Sequence, residues 1–251
     1  MKKINRNGET SINKYGTKMT IINYKDCNHL DIEFEDGYII NNTTYRVFQK
    51  GTISSIYDKT VYNIGYLGCN DKTKISNKHV PSYEYWHSMI RRCYDAEHMH
   101  YNPTYEGCTV CDEWLCYKNF KEWFDKNYYE VEEQRMALDK DILVKGNKFY
   151  SPTTCCIIPM CINSLFTKAD KFRGELPIGV SFNKVYKKYS SICMEDGKSI
   201  CLGYFDTIEE SFNKYKVFKE NLIEEMADRY KEFIPIKLYE AMYNWKVEIT
   251  D

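Results

Sequence analysis

The sequence predicts an α+β protein whose strands lie mainly in an N-terminal and a C-terminal region, with helices between them. Three patterns carry this prediction. Apolar and polar residues alternate in short runs over residues 19–48, which is typical of strands. An apolar stripe with helical spacing follows Pro81. Three more alternating runs over residues 178–205 lead directly into a long amphipathic segment.

The composition indicates a globular chain and says little about its partners. With 251 residues, the chain is long enough for two or three small domains. Its formal net charge of −1 means that any basic surface must be local and offset elsewhere. There is no run of about 18 apolar residues, so we expect no membrane partner. The 11 cysteines, with no secretory segment before them, indicate reduced thiols and a cytoplasmic location.

Residues 1–80 predict a small all-β module. Residues 19–24 and 29–34 alternate as strands do, and Asp36-Gly37 predicts a hairpin turn into a third strand. Residues 45–48 then predict a closing strand. The resulting prediction is a compact β-barrel-like or SH3-like unit.

Two helices are predicted early in the next region, which covers residues 81–170. The first follows Pro81 and the second covers residues 117–127. Their core-facing residues have the spacing of one helical face: Trp86, Met89, Ile90, Cys93, Phe120, Trp123 and Phe124. Arg91 and Arg92 lie beside the first stripe, where they either bind phosphate together or form a plain solvated pair.

The second half of this region predicts two strands and a short helix. The strands cover residues 138–143 and 155–159, with a turn at residues 145–148 between them. The helix covers residues 160–166, and a charged connector over residues 167–177 follows it.

The last region, residues 171–251, predicts a three-stranded sheet and a long helix. The strands fall within residues 178–205. Thr207, with Glu210 three residues later, is the pattern of a capping box at the start of a helix. Pro235 marks the end of that helix.

This C-terminal pattern resembles the AP2 DNA-binding domain. The resemblance rests on an ordered set of motifs: Gly179-Val180, Lys188-Tyr189, Leu202-Gly203-Tyr204-Phe205 and Thr207-Ile208-Glu209-Glu210-Ser211. AP2 domains lay a three-stranded sheet on DNA and back it with one helix, so the resemblance implies double-stranded DNA as the partner.

The residues expected to contact DNA follow from this resemblance and from strand alternation. Polar residues of the sheet offer hydrogen bonds to bases or phosphates, and lysines of the first turn neutralise phosphates. The predicted contact residues are Ser181, Asn183, Lys184, Lys187, Lys188 and Tyr189, together with Arg91 and Arg92. The acidic end of the long helix is expected to face away from DNA.

Residues 138–163 resemble the ββα-metal motif of HNH endonucleases. In that motif, two side chains hold one divalent ion, such as Mg²⁺, against the scissile phosphate, and a histidine deprotonates the attacking water. The resemblance implies metal ligands at Asp139 and Asn163. Thr154 stands where the motif has its middle asparagine.

The general base is the point at which this sequence departs from the motif. Lys140 stands at the position of the histidine. A lysine with an ordinary pKa of roughly 10.4 is protonated at neutral pH and accepts no proton. Asp141 is an alternative base or ligand, and a histidine from outside the motif is another: His79, His87, His98 or His100.

Residues 85–94 and 114–124 also resemble the region upstream of the motif in phage-type HNH proteins that carry an AP2 domain. That family is associated with homing endonucleases of phages and mobile elements. The resemblance therefore implies metal-dependent cleavage or nicking of DNA in a bacterial host cell. The alternative is a catalytically inactive descendant, a phage-encoded regulator or inhibitor of a host defence nuclease that binds DNA or a protein partner.

A structural zinc is a further alternative. Some HNH proteins hold zinc with two cysteine pairs, and Cys108 and Cys111 have ligand spacing. The resemblance to such proteins implies a site formed by Cys108, Cys111, Cys155 and Cys161. The competing interpretation is that these cysteines pack in the core, as buried cysteines commonly do.

Overall fold

A computed structural model of this protein describes residues 4–167, 175–195 and 197–251 and combines several small sheets with helices. Contacts divide the chain into two units, Met1–Tyr128 with Lys148–Pro152 and Tyr129–Asn147 with Thr153–Asp251. The division into domains at residues 1–80, 81–170 and 171–251 stays a prediction. Most of the predicted connector, residues 168–174, lies outside the described residues.

The described residues form helices and strands at the following positions. The helices are α1 Tyr45–Lys50, α2 Pro81–Tyr94, α3 Ala96–Tyr101, α4 Asp112–Leu115, α5 Tyr117–Asn127, α6 Met160–Leu165, α7 Ile208–Tyr230 and α8 Ile236–Tyr243. The strands are β1 Thr10–Ile12, β2 Lys18–Asp26, β3 His29–Phe34, β4 Ile39–Thr43, β5 Lys74–Ile75, β6 Lys78–His79, β7 Thr109–Val110, β8 Met136–Asp139, β9 Phe149–Tyr150, β10 Cys156–Pro159, β11 Val180–Asn183, β12 Lys188–Glu195 and β13 Lys198–Phe205.

The N-terminal sheet is an open antiparallel meander in the order β1-β2-β3-β4. Alternate residues of β2 and β3 point into a core that Phe48 of α1 completes: Met19, Ile21, Leu30, Ile32, Phe34 and Phe48. The prediction of a β-barrel-like unit is wrong, because β1 and β4 remain the edges of this sheet and no closed barrel forms among the described residues.

The predicted closing strand over residues 45–48 is a helix, α1. The Thr44 side chain accepts a hydrogen bond from the Val47 N–H, which stabilises the start of the helix. Gly51 ends it with a left-handed φ of 59°. A Cβ at Gly51 would lie 2.6 Å from the Ile12 carbonyl oxygen, so this turn requires glycine. These local capping contacts outweigh the β-propensity of the segment.

The helical part of the first unit is built on aromatic packing between α2, α4 and α5. Trp86, Trp114, Phe120 and Phe124 are buried, and the Trp86 indole N–H donates to the Trp114 carbonyl oxygen at 2.7 Å. The prediction that these aromatic residues form a core is confirmed. Strands β7 and β9 pair in parallel in the same unit.

Strands β8 and β10 of the second unit are antiparallel, and α6 begins directly after β10. The register pairs Asp139 with Cys156. The predicted first strand over residues 138–143 is shorter at its end, because the Asp139 side chain accepts hydrogen bonds from the N–H groups of Asp141 and Ile142 and turns the chain. Buried residues of α6, α7 and α8 cover these strands, among them Ile162, Ile223 and Leu238.

The C-terminal sheet has the order β11-β12-β13, and α7 covers one of its faces. The predicted succession of three strands and a capped helix is confirmed. The Thr207 side chain accepts from the Glu210 N–H, and the Glu210 side chain accepts from the Thr207 N–H. Gly179 has a φ of +76°, and a Cβ there would overlap the Tyr215 ring of α7. The sheet can approach the helix this closely only because residue 179 is glycine.

The predicted α+β class is confirmed in this general form, with several small sheets rather than one large one. Among the described residues, no helix is both long enough and apolar enough to cross a membrane.

Candidate functional site

The face of the C-terminal sheet opposite α7 carries exposed tyrosines. The register aligns Ser181, Ser190 and Tyr204 across the three strands on this face. Tyr186, in the turn between β11 and β12, packs against Tyr204 with ring centroids 4.8 Å apart. Tyr186 is 61% exposed and Tyr204 is 44% exposed. We call this surface, formed by Ser181, Asn183, Lys184, Tyr186, Lys187, Lys188 and Tyr204, the open face.

The lysines of the open face lie at the end of the sheet where the first turn is. Lys184 and Lys187 are exposed, and Lys187 has a left-handed φ of 51° that the tight turn imposes. Lys188 forms an exposed ion pair with Asp206 at 3.1 Å. Such a pair contributes little to stability, roughly 0–1 kcal/mol, so Lys188 can exchange this carboxylate for a phosphate at small cost.

The polar residues predicted to contact DNA are partly engaged within the sheet. The Ser181 and Ser190 hydroxyls are 2.8 Å apart, and Ser190 also donates to the Ser181 carbonyl oxygen. The Asn183 side-chain oxygen accepts from the N–H groups of Val185 and Tyr186. Asn183 therefore shapes the turn that presents the lysines and Tyr186.

Tyr189, predicted as a DNA contact, lies on the other face of the sheet. The register pairs it with Phe182, and the two rings are 5.3 Å apart in an edge-on arrangement. Tyr189 packs against the buried cluster under α7. The cross-strand register shows that Tyr189 and Ser181 point to opposite faces of the sheet, and alternation within a single strand does not reveal this.

Arg91 and Arg92 do not form a shared phosphate clamp. Arg91 is exposed and its Nε donates to Asp95 at 3.3 Å. Arg92 is half-buried, hydrogen-bonded to Tyr150, and its guanidinium lies 5.5 Å from the centroid of the Tyr105 ring. The two side chains have different partners because neighbouring residues of a helix point in different directions.

The second predicted site is the turn that begins at Asp139. One oxygen of the Asp139 carboxyl accepts from the N–H groups of Asp141 and Ile142, at 2.9 and 2.7 Å. The chain therefore places two carboxyl groups, those of Asp139 and Asp141, at the end of β8. This arrangement can hold a cation between a strand end and a turn.

The surroundings of Asp139 at this turn raise its pKa. Burial, and next to it the negative charge of Asp141, raise the pKa of Asp139 from 3.8 to about 6. The two backbone hydrogen bonds act in the opposite direction and do not offset the rise. A divalent cation would relieve this repulsion, because it favours the ionised form of both groups.

The other motif residues contribute less to such a site. Lys140 is buried and its Nζ donates to Asp141 at 3.1 Å, so it acts as a cation and donor. Asn163 lies on α6, and its side-chain nitrogen makes a weak contact with the Met160 sulfur at 3.7 Å. Thr154 Oγ1 lies 3.9 Å from the Cys155 sulfur. Within residues 4–167, 175–195 and 197–251, no group of three or more His, Cys, Asp or Glu side chains is arranged to hold a metal ion.

These residues fit Mg²⁺ only in part. Mg²⁺ commonly keeps several waters and takes one or two carboxylates together with substrate phosphates. Asp139 and Asp141 can supply the carboxylates. The histidines that were candidate bases, His79, His87, His98 and His100, all belong to the first unit. Burial lowers the pKa of His87.

The zinc alternative stays a prediction. Cys108 and Cys111 belong to the first unit, whereas Cys155 and Cys161 belong to the second. Cys155 is buried, and the Cys161 thiol donates to the Tyr230 hydroxyl at 3.3 Å. The cysteines of the described residues are present as thiols rather than disulfides.

Two residues of the open face were not among the predicted contacts: Tyr186 and Tyr204. Tyr204 belongs to one of the motifs that carry the AP2 resemblance, and Tyr186 lies between lysines in the predicted turn. A signal for both was present in the sequence, since exposed aromatic residues next to lysines are typical of nucleic-acid-binding surfaces.

Comparison with protein-family models, with curated proteins and with solved structures finds no match to this chain.

Proposed function

We propose that the protein binds double-stranded DNA through the open face of its C-terminal sheet. The observation that carries the proposal is the exposed Tyr186–Tyr204 pair beside Lys184, Lys187 and Lys188. Burying tyrosine rings against a partner removes apolar surface from water, and the lysines would neutralise phosphates and release their counterions.

The charge distribution of the second unit supports the same orientation. The lysines gather at one end of the open face, whereas the acidic residues Glu224, Glu225 and Asp228 lie on α7, on the other side of the sheet. A duplex on the open face would meet Lys184, Lys187 and Lys188 and would lie on the side of the sheet away from these three acidic residues. The net charge of −1 agrees with a local basic surface that is offset elsewhere.

The test is a salt titration of duplex affinity with a charge-reversal pair. Lys184→Glu with Lys187→Glu is expected to weaken binding about tenfold and to lower the slope of log affinity against log salt by about 2. Fluorescence anisotropy with a labelled duplex measures both quantities.

The matched control is Lys214→Glu with Lys216→Glu on α7, which makes the same charge change away from the open face. We expect duplex affinity and salt slope to stay within twofold of the wild type, since charges farther than about 10 Å are largely screened at 0.1 M salt. If the two double substitutions weakened duplex binding equally, the proposal would be contradicted, because affinity would then depend on net charge and not on the open face.

A second candidate function is metal-dependent nicking of the bound DNA. The observation that favours it is the placement of two carboxyl groups, those of Asp139 and Asp141, at the end of β8, where burial and next to it the charge of Asp141 raise the pKa of Asp139 to about 6. A bound ion would polarise a phosphate there. Lys140 contacts Asp141 and contributes positive charge rather than a base.

Supercoiled plasmid incubated with Mg²⁺ or Mn²⁺ separates this candidate from the inactive alternative. Nicking by the wild type that Asp139→Asn abolishes, with duplex affinity unchanged, would establish the enzyme. Duplex binding without nicking would favour a regulator, or an inhibitor of a host nuclease, that has kept the fold and lost the chemistry.

A further inference from the structure

A groove in the second unit lies beside the turn that follows Asp139. Its volume is about 370 Å³, which falls within the usual range of small-molecule sites, roughly 300–1,000 Å³. Leu143 and Lys145 line it on the side of the turn, and Trp245, Lys246 and Glu248 line it on the side of the C-terminal segment. The proposed DNA-binding face does not use these residues.

One carboxylate oxygen is held at this groove by two donors. The Lys145 ammonium and the Glu248 N–H donate to Oδ2 of Asp251, at 2.7 and 2.8 Å. Lys145 also donates to the Lys246 carbonyl oxygen at 2.7 Å, which fixes the position of the ammonium. A phosphate oxygen can accept hydrogen bonds from the same two donors, an ammonium and a backbone N–H that converge on one point.

An aromatic surface lies next to this oxygen position. The Trp245 indole is half-buried and held by an edge-on contact with Phe166, with ring centroids 4.7 Å apart. The Lys145 ammonium lies 5.3 Å from the centroid of the indole. A nucleotide has a phosphate that a cation can bind and a base that an aromatic ring can contact. An ammonium beside an indole offers both kinds of contact.

We propose that this groove is a mononucleotide subsite. Lys145 and the Glu248 N–H bind a 5′-phosphate, the Trp245 indole contacts the base, and the Asp251 carboxylate occupies the phosphate position until a nucleotide displaces it. The proposal rests on the proposed nucleic-acid function and deepens it, because the groove would hold a nucleotide at the end of a strand, next to the turn at Asp139.

The energetics allow this exchange. The Lys145 side chain is 33% exposed and the Asp251 side chain is 10% exposed. A phosphate that replaces the carboxylate keeps the Lys145 ammonium paired, and the released carboxylate regains its contact with water. A phosphate monoester carries up to two negative charges and more acceptor oxygens than a carboxylate, so it competes well for the same donors. Asp251 is a competitor on the same chain, and removing its charge should make the position easier to fill.

The test measures binding of deoxyadenosine 5′-monophosphate, and of deoxyadenosine without the phosphate, by calorimetry on the full chain. Asp251→Asn is expected to bind the monophosphate about fivefold more tightly than the wild type, as removal of a carboxylate that competes for the same donors predicts. Lys145→Gln is expected to bind it at least tenfold more weakly, and Lys145→Arg to keep most of the affinity.

The matched control is Lys231→Gln, because Lys231 also lies over an aromatic ring, that of Tyr239, but outside the groove. It should leave nucleotide affinity unchanged. Absence of monophosphate binding by both the wild type and Asp251→Asn at millimolar concentration would overturn the proposal. The proposal would also be overturned if Lys145→Gln bound the monophosphate as tightly as the wild type does. It would be overturned likewise if Asp251→Asn tightened the binding of deoxyadenosine as much as that of the monophosphate.

Duplex binding measured on the same samples separates this subsite from the proposed function. Loss of nucleotide binding in Lys145→Gln with normal duplex affinity supports the subsite, and duplex binding without any nucleotide binding refutes the subsite alone. If the wild type binds the nucleotide but no duplex, the proposed function fails and the subsite stands.

Discussion

The two larger sheets of this protein share an architecture and differ in the chemistry of their open faces. Both are antiparallel meanders with a helix over one face, α1 on the N-terminal sheet and α7 on the C-terminal sheet. On the N-terminal sheet, Asn23 donates to Asp31, and Asp31 also accepts from the Asn42 N–H. The N-terminal sheet exposes lysines as well, Lys18 and Lys25, but on the C-terminal sheet the lysines lie beside an exposed pair of tyrosines, Tyr186 and Tyr204. The proposal of DNA binding therefore depends on the side chains of the uncovered face and not on the meander that the two sheets share.

The largest expected effect concerns the glycine that joins the C-terminal sheet to its helix. Gly179→Ala should destabilise the second unit by about 3 kcal/mol, because a left-handed φ and an overlap with Tyr215 add together. Urea-induced unfolding measures the change. Gly197→Ala is the control, since Gly197 has nearly the same φ of +75° in open space and should cost only about 1 kcal/mol. Equal losses would mean that the close approach to Tyr215 contributes nothing.

Measuring the free energy of unfolding against pH tests whether the pKa of Asp139 in the second unit is raised. Because the folded-state pKa of Asp139 lies above 3.8, the folded protein binds this proton more tightly than the unfolded chain does. The free energy of unfolding should therefore fall by about 2 kcal/mol as the pH rises from roughly 4 to 6. Asp139→Asn keeps an acceptor for the two backbone N–H groups and should remove this fall.

Addition of Mg²⁺ at pH 7 extends the same experiment. If Asp139 and Asp141 hold the ion, Mg²⁺ should raise the melting temperature of the wild type and leave that of Asp139→Asn unchanged. A difference in stability between the wild type and Asp139→Asn that stays constant from pH 4 to 6 would contradict the raised pKa of Asp139, because the other carboxyl groups contribute equally to both proteins.

The tyrosines of the open face should affect duplex affinity differently from its lysines. Tyr186→Ala or Tyr204→Ala is expected to weaken duplex binding about tenfold, because a contact between a base or sugar and an aromatic ring is worth roughly 1–3 kcal/mol. The salt slope should not change, since no phosphate contact is lost. Tyr57→Ala is the control, because Tyr57 is 50% exposed in the first unit and lies near another tyrosine, Tyr66.

The smallest expected effect is on the N-terminal sheet. Lys18→Glu with Lys25→Glu makes the same charge change on β2 that the test pair makes on the open face. Anisotropy measurements should show duplex affinity within twofold of the wild type. A tenfold loss would remove the distinction between the two sheets.

Much of the local structure follows from the sequence, because it is set by local contacts. The capping box at Thr207, the helix after Pro81 and the strands of the C-terminal sheet all depend on residues near one another in the chain. The error at residues 45–48 has the same origin. At residues 45–48 the caps formed by Thr44 and Gly51 stabilise a helix, and the alternation of apolar and polar residues does not reveal these caps.

The candidate sites were harder to predict, because they depend on contacts between distant residues. The register between β11 and β12 places Tyr189 under α7, and the contacts with Tyr105 and Tyr150 enclose Arg92. The Tyr186–Tyr204 pair joins residues 18 positions apart, and its proximity is visible only when the sheet is assembled. The raised pKa of Asp139 depends likewise on burial that the sequence does not show.

The most direct test of the central claim is amide hydrogen exchange with and without a saturating duplex, because both sheets are then measured in one sample. If the open face binds DNA, amide exchange should become slower on DNA addition at the turn of residues 184–187 and along β13 and stay unchanged in β1–β4. Protection confined to β1–β4, or no change in β11–β13 at saturation, would contradict the assignment of DNA binding to the open face.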